Sequence, residues 1–105
     1  MNEKEKPSYY AIIPANVRYC ESLSPNEKLL YGEITALSNK EGYCWASNGY
    51  FAKLYAVSKR SITRWLEKLN SEGFITVEYE FFKGTKQLEK RKLIIEKTKY
   101  LKHTP

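Results

Sequence analysis

The sequence predicts a small α+β domain, mainly α, in which three helices precede a β-hairpin. From Ser24 to Ser71, apolar residues recur every three or four positions, which is the spacing of helices that lie on a core. After Gly73 the period becomes two, as in a half-buried strand, and a second alternating segment follows a turn-forming stretch. The chain has 105 residues, which is enough for one domain.

The first predicted element is an extended segment or a short strand over residues 9–13. Its residues are β-branched or aromatic, and Pro14 ends it. Residues 1–8 are charged and predict a flexible N-terminal arm. Tyr9 and Tyr10 either pack on the domain or contribute to a dimer contact.

The first helix begins at a capping box, Ser24-Pro25-Asn26-Glu27, with proline at the first helical position. The serine hydroxyl accepts from the backbone three residues later, and Glu27 reaches back to the serine N–H. The segment Asn39 to Gly42 is expected to end the helix. Its apolar stripe is Leu29, Leu30, Ile34 and Leu37.

Two more helices follow a short apolar segment, Tyr43-Cys44-Trp45, which is predicted to form a small strand. Ser47 is placed to cap a helix over residues 48–56 that buries Phe51 and Leu54. Ser58 is placed to cap a third helix over residues 59–71, which Gly73 ends in the left-handed region. Its apolar stripe is Ile62, Trp65 or Leu66, and Leu69.

The predicted hairpin has strands over residues 75–82 and 91–97, joined by the turn-forming stretch 83–86. Glu78 and Glu80 share a strand face, and pairing with basic residues of the opposite strand explains them better than a catalytic carboxylate pair. Residues 98–105 are either a tail or the start of a linker. Helix, turn, helix and hairpin over residues 9–97 make a winged helix-turn-helix domain.

The basic residues are concentrated in the second half of the chain. Residues 1–57 hold six basic and six acidic residues, whereas residues 58–105 hold twelve basic and six acidic ones, so the whole net charge of +6 lies there. This asymmetry predicts a basic working surface for a polyanion. The alternative interpretation is that the charge serves solubility alone.

The outward face of the third helix is the predicted reading surface for double-stranded DNA in the major groove. Arg60 and Arg64 are the candidates for base contacts, because a guanidinium can donate two hydrogen bonds to O6 and N7 of guanine. Ser61 and Thr63 could contact either bases or the DNA backbone. The remaining candidates on the helices are predicted to hold phosphates, and the hairpin is predicted to lie beside the third helix and touch phosphates or the minor groove. The complete candidate set is Ser47, Asn48, Tyr50, Ser58, Lys59, Arg60, Ser61, Thr63, Arg64, Lys68, Lys83, Lys86 and Arg91.

Catalytic devices and cofactor sites are not predicted. The single histidine, His103, lies in the last three residues, and Cys20 and Cys44 are too far apart for a CxxC metal site, although one disulfide between them stays open. No phosphate-cradling glycine loop is present, so we expect no enzyme. The longest uncharged runs hold eleven residues, too few for a membrane span. We therefore expect a soluble, cytoplasmic protein.

Four segments carry a resemblance: 10–14, 23–34, 42–46 and 57–65. Together they resemble the N-terminal winged-helix domain of phage and plasmid replication initiators of Gram-positive bacteria, the replisome organisers and related DnaD-like proteins. The Lys-Leu-Leu-Tyr-Gly stretch and the Ser-Lys-Arg segment are the more specific parts. The resemblance covers residues 9–97 and implies a homodimer that binds repeated origin sites. It also implies contact with helicase-loading proteins through a separate C-terminal part.

Two other functions fit the same fold. A transcriptional regulator would use the same DNA surface at a promoter. A winged helix that serves only to dock another protein would bind DNA negligibly and without salt dependence.

Overall fold

The computed structural model describes residues 10–38 and 41–96. Four helices precede two strands in these residues: α1 (Ala15–Arg18), α2 (Pro25–Leu37), α3 (Asn48–Tyr55), α4 (Lys59–Ser71), β1 (Ile75–Phe81) and β2 (Leu88–Ile95). The strands form an antiparallel hairpin. The predicted α+β fold class, a winged helix-turn-helix, is confirmed, with one short helix added. The N-terminal arm, Tyr9 and the predicted tail lie outside the described residues.

Residues 10–13, within the predicted extended segment or short strand, form no strand in the described structure. This segment lies on α2, where the Ile12 N–H donates to Thr35 Oγ1 at 2.9 Å and the Thr35 hydroxyl donates to the Gly32 carbonyl at 2.6 Å. Gly32 permits this approach, since a Cβ there would lie 2.9 Å from Ile13 Cγ1. Pro14 is then the N-cap residue of α1, a single turn that the sequence pattern did not predict.

The three predicted serine caps are confirmed. Glu27 N donates to Ser24 Oγ at 3.2 Å and Ser24 N donates to Glu27 Oε1 at 2.7 Å, which completes the capping box. The Ser47 and Ser58 hydroxyls accept from the backbone N–H three residues later, at 3.0 and 3.1 Å. These caps fix where α2, α3 and α4 begin. The helix α2 ends at Leu37, and part of its predicted terminus, Asn39 and Lys40, lies outside the described residues.

The core lies between the three longer helices and the base of the hairpin. Leu66, not Trp65, belongs to the buried stripe of α4. Leu29 was predicted to be buried and is 55% exposed; the neighbouring Tyr31 is buried instead, because its ring packs edge-on against Phe74 at 6.4 Å. Fully buried large side chains include Phe51, Leu30, Ile34, Ile62, Leu69, Ile75 and Leu93.

The hairpin is longer on one side than predicted. Strand β2 begins at Leu88, three residues before the predicted start, because a bulge next to Glu80 brings Leu88 opposite Phe81. The predicted strand around Cys44 is a single bridge to β2: Cys44 and Leu93 exchange backbone hydrogen bonds of 2.9 and 2.7 Å. This bridge anchors the base of the hairpin to the segment before α3.

Both cysteines are free, so the disulfide left open by the sequence does not form in this structure. Burial raises the pKa of the Cys44 thiol to about 11, which keeps it neutral in the core. Within residues 10–38 and 41–96, no helix is long and apolar enough to cross a membrane.

Candidate nucleic-acid interface

The outward face of α4 carries free cationic side chains. Lys59, Arg60 and Arg64 are exposed, and none of them forms an ion pair with a residue that the structure describes. Arg60 and Arg64 are four residues apart and therefore lie one above the other on the same helix face. The opposite face is buried through Ile62 and Leu66. The structure thus presents the two predicted base-reading arginines side by side.

The other polar candidates on α4 have partners within the domain. The Ser58 hydroxyl caps the helix and donates to Ser61 Oγ at 3.1 Å. Thr63 Oγ1 donates to the Lys59 carbonyl at 3.0 Å. Lys68 lies 4.0 Å from Glu72, one turn later. Ser58 and Thr63 therefore shape the helix and its surroundings, and Lys68 is partly neutralised.

Helix α3 and the start of α4 line a shallow depression of about 370 Å³ with a cationic rim. Lys53 and Lys59 stand at this rim, beside the cap residue Ser47 and the small residues Gly49 and Ala52. Lys53 was not among the sequence-predicted residues. The spacing in the sequence could have indicated Lys53, because Gly49 and Lys53 are four residues apart and share a helix face. The missing side chain at Gly49 leaves room on this face for the Lys59 side chain.

The position of Tyr50 differs from the one predicted for it at the DNA interface. Its side chain was expected at the surface as a phosphate contact, but the residue is only 4% exposed and its ring packs against Phe51 at 6.0 Å between centroids. The position falls on the core side of α3 because the Ser47 cap fixes where the helix begins. Tyr50 therefore belongs to the core.

A chain of hydrogen bonds joins the hairpin to both helices of the helix-turn-helix. Arg91 of β2 donates from Nη1 to Asn48 Oδ1 and from Nη2 to the Ala46 carbonyl, both at 2.6 Å. Asn48 then donates to Thr63 Oγ1 at 3.1 Å. Burial lowers the pKa of Arg91, but a guanidinium stays charged at neutral pH. Arg91 and Asn48, both predicted to meet DNA, are thus partners of each other.

The tip of the hairpin carries Lys83 and Lys86, both exposed and without an ion pair among the described residues. The tip is ordered by its own turn: the Thr85 N–H donates to the Phe82 carbonyl at 3.0 Å, and Gly84 has a φ of +74°. Two lysines on a short turn present mobile point charges, which suit phosphate groups.

The outer face of the hairpin is internally neutralised. Lys92 contacts Glu80 at 2.5 Å, which lowers the pKa of Glu80 and raises that of Lys92. Lys90 donates to the Tyr43 hydroxyl at 3.3 Å. The predicted cross-strand pairing of Glu80 is confirmed, and these lysines are not free for another partner.

Free positive charge thus lies at two places: Lys53 of α3 with the first two turns of α4, and the hairpin tip. Such a surface is suited to a polyanion, with a helix flanked by an extended arm. Among the described residues, no cluster of histidine, cysteine, aspartate or glutamate has the grouping needed to hold a metal ion.

Comparison with known proteins agrees with this geometry. A family model described as "Helix-turn-helix domain" matches residues 21–75, which is just over half of the chain. The match runs from the residues before α2 to the first residue of β1. Neither the curated proteins nor the solved structures contain a match.

Proposed function

Because this chain belongs to the helix-turn-helix domain family, we propose that it binds double-stranded DNA with sequence preference and without catalysis. In this proposal α4 enters the major groove and the hairpin lies on the flanking backbone. Arg60 and Arg64 contact base edges. Lys53 and Lys59 hold phosphates on one side of the helix, while Lys83 and Lys86 hold them on the other.

The observation that carries the proposal is the free pair Arg60 and Arg64. Both are exposed, both share one helix face, and neither has an acidic partner in the described structure. A helix face that served only solubility would gain from neighbouring carboxylates, as Lys68 does from Glu72. Because both guanidinium groups are without an acidic partner and lie on a helix that fits the major groove, they favour contacts with base edges.

For the place of binding we propose a replication origin, with the chain acting as a homodimer on repeated sites. The support for this is the resemblance to phage and plasmid replication initiators, which also supports helicase-loading proteins as further partners. A transcriptional regulator would use the same surface. Footprinting of the protein on chromosomal or plasmid DNA separates these two functions, because an initiator protects an origin and a regulator protects a promoter.

The binding proposal is tested by fluorescence anisotropy with duplex DNA across a salt series. For about six phosphate contacts, log K is expected to fall with log salt at a slope of about −4 to −6. Arg60→Ala and Arg64→Ala should each cost about 1–3 kcal/mol and relax sequence preference, since each removes a base contact. Lys83→Ala should weaken all duplexes alike and reduce the slope by about 1.

The control is Lys28→Ala, which removes one positive charge from α2, outside both cationic surfaces. It should leave the affinity close to that of the wild type. Weak, salt-insensitive binding of the wild-type chain to every duplex would overturn the proposal in favour of a protein-docking domain. Arg60→Ala and Arg64→Ala variants with full affinity and preference would show that α4 does not read the bases.

A further inference from the structure

Thr63 lies between the two exposed arginines of α4. It follows Arg60 by three residues and directly precedes Arg64, so the three side chains belong to one face of the helix. Thr63 is exposed, like both arginines. The inference drawn from it rests on the proposed function, in which this face of α4 meets the base edges of DNA.

The hydroxyl group of Thr63 is engaged within the protein. It donates its proton to the Lys59 carbonyl, one turn earlier, at 3.0 Å. Its oxygen accepts from Asn48 Nδ2 of α3 at 3.1 Å. The orientation of the Asn48 amide is fixed in turn, because its Oδ1 accepts from Arg91 Nη1. Since a hydroxyl has a single proton to donate, Thr63 has none left for a base or a phosphate.

The methyl group of Thr63 is the part of the side chain that remains for an outside contact. The two hydrogen bonds hold Oγ1 against the backbone of α4 and the start of α3. A threonine side chain is stiff at χ1, so the bonds that fix Oγ1 also fix the methyl group. Because the residue is exposed, it presents a small apolar group between two guanidinium groups.

A fixed methyl group at this position matches one of the four bases. Thymine is the base that carries a methyl group on its major-groove edge, and the methyl group of threonine packs well against it. We infer that the Thr63 methyl group packs against the C5 methyl group of a thymine, next to the bases that Arg60 and Arg64 contact. Thr63 is then a specificity-determining residue that acts through its methyl group and not through its hydroxyl.

The inference predicts that affinity depends on one methyl group of the DNA. Deoxyuridine has the hydrogen-bonding groups of thymidine but lacks the C5 methyl group. Replacing the contacted thymidine by deoxyuridine should weaken wild-type binding by about 3- to 5-fold, since one buried methyl group is lost. The salt slope should stay unchanged, because the replacement removes no charge.

The experiment measures anisotropy with a duplex that the wild-type chain selects from a random pool, and with copies in which each thymidine in turn is replaced by deoxyuridine. Thr63→Ser keeps the hydroxyl and removes the methyl group, so it should bind the two duplexes equally well. Thr63→Val keeps the methyl group and removes the hydroxyl, so it should retain the wild-type preference for thymidine, although loss of the bond to Asn48 weakens its binding to both duplexes. The matched control is Thr35→Ser, which removes a methyl group from α2, outside both cationic surfaces, and should keep the wild-type affinity and preference.

Three results would overturn the inference while the proposed function stands. In the first, wild-type binding depends on salt, but the selected duplex holds no thymidine whose replacement weakens it. In the second, the same deoxyuridine weakens Thr63→Ser as much as the wild type, so another residue contacts the methyl group. In the third, Thr63→Val loses the preference and Thr63→Ser keeps it, so the hydroxyl contacts the base. Failure of the wild type to show salt-dependent DNA binding would instead remove the proposed function itself, and the inference with it.

Discussion

Ala56 stands in the turn between α3 and α4 with a φ of +56° and a ψ of +47°. It is the one non-glycine residue with positive φ in the described part of the chain, and this left-handed region is costly for a residue with a Cβ. We expect Ala56→Gly to raise the free energy of unfolding by about 0.5–1 kcal/mol, because relief of this strain outweighs the added freedom of the unfolded chain.

Urea denaturation measures this change, with Ala52→Gly as the matched control. Ala52 lies inside α3, where the same substitution lowers stability by about 1 kcal/mol. Opposite signs for the two variants would support a left-handed Ala56. Equal losses in both would show that the turn has a different backbone conformation.

At the level of elements, Arg91 ties the hairpin to α3 and, through Asn48, to α4. Arg91→Lys keeps the charge but cannot form both guanidinium bonds. We expect it to lower the free energy of unfolding by about 1–3 kcal/mol and to weaken DNA binding nearly as much as Arg91→Ala, with the salt slope unchanged.

A double-mutant cycle with Asn48→Ala completes the test of Arg91. If the two residues act through their mutual contact, their effects on DNA affinity should be strongly non-additive. The contrary result is a lysine variant that binds DNA like the wild type while the alanine variant loses affinity and about one unit of salt slope. That pattern would make Arg91 a phosphate contact, as the sequence alone predicted.

For the molecule as a whole, a tyrosine hydroxyl gives stability a dependence on alkaline pH. The Tyr55 hydroxyl of α3 donates to Glu33 Oε1 of α2 at 2.8 Å, and burial together with this carboxylate raises the pKa of Tyr55 far above its usual value of 10.0. A group whose folded-state pKa is raised stabilises fully below the unfolded value, and this contribution disappears as pH rises above it. The loss therefore begins above pH 10.

Tyr55→Phe should lower the free energy of unfolding by about 1 kcal/mol at neutral pH and should flatten its decline up to about pH 11. Urea midpoints across this range measure both effects. The control is Tyr10→Phe, which removes a phenol from a residue that is 94% exposed and should change neither value. Parallel curves for the wild type and Tyr55→Phe would show that the link between α2 and α3 does not set the alkaline response.

Local chemistry made most of the elements predictable. Ser24, Ser47 and Ser58 each bond within three residues of themselves, so the starts of α2, α3 and α4 could be read from short stretches of sequence. The two exposed arginines of α4 followed from helical spacing once Ser58 was placed. The alternation of apolar and polar residues after Gly73 likewise predicted the hairpin.

Errors arose where a distant residue decides the outcome. The face of α2 that is buried includes Tyr31 and not Leu29, and Phe74, far along the chain, packs against the Tyr31 ring. The partners of Arg91 lie more than 40 residues away, and no local pattern announces them. The bulge beside Glu80 moved the start of β2, since it depends on how the two strands pair and not on either alone.

The hydrogen bonds that run from Arg91 to Asn48 and from Asn48 to Thr63 have a consequence for how two weak contacts with DNA combine. In the proposed complex, α4 and the hairpin tip are two contacts on one frame, so that once α4 is bound the tip meets DNA at a high effective concentration. Loosening the frame dilutes the second contact without removing any group that touches DNA. If the proposed interface is right, affinity depends on a residue pair inside the protein as much as on the lysines and arginines outside it.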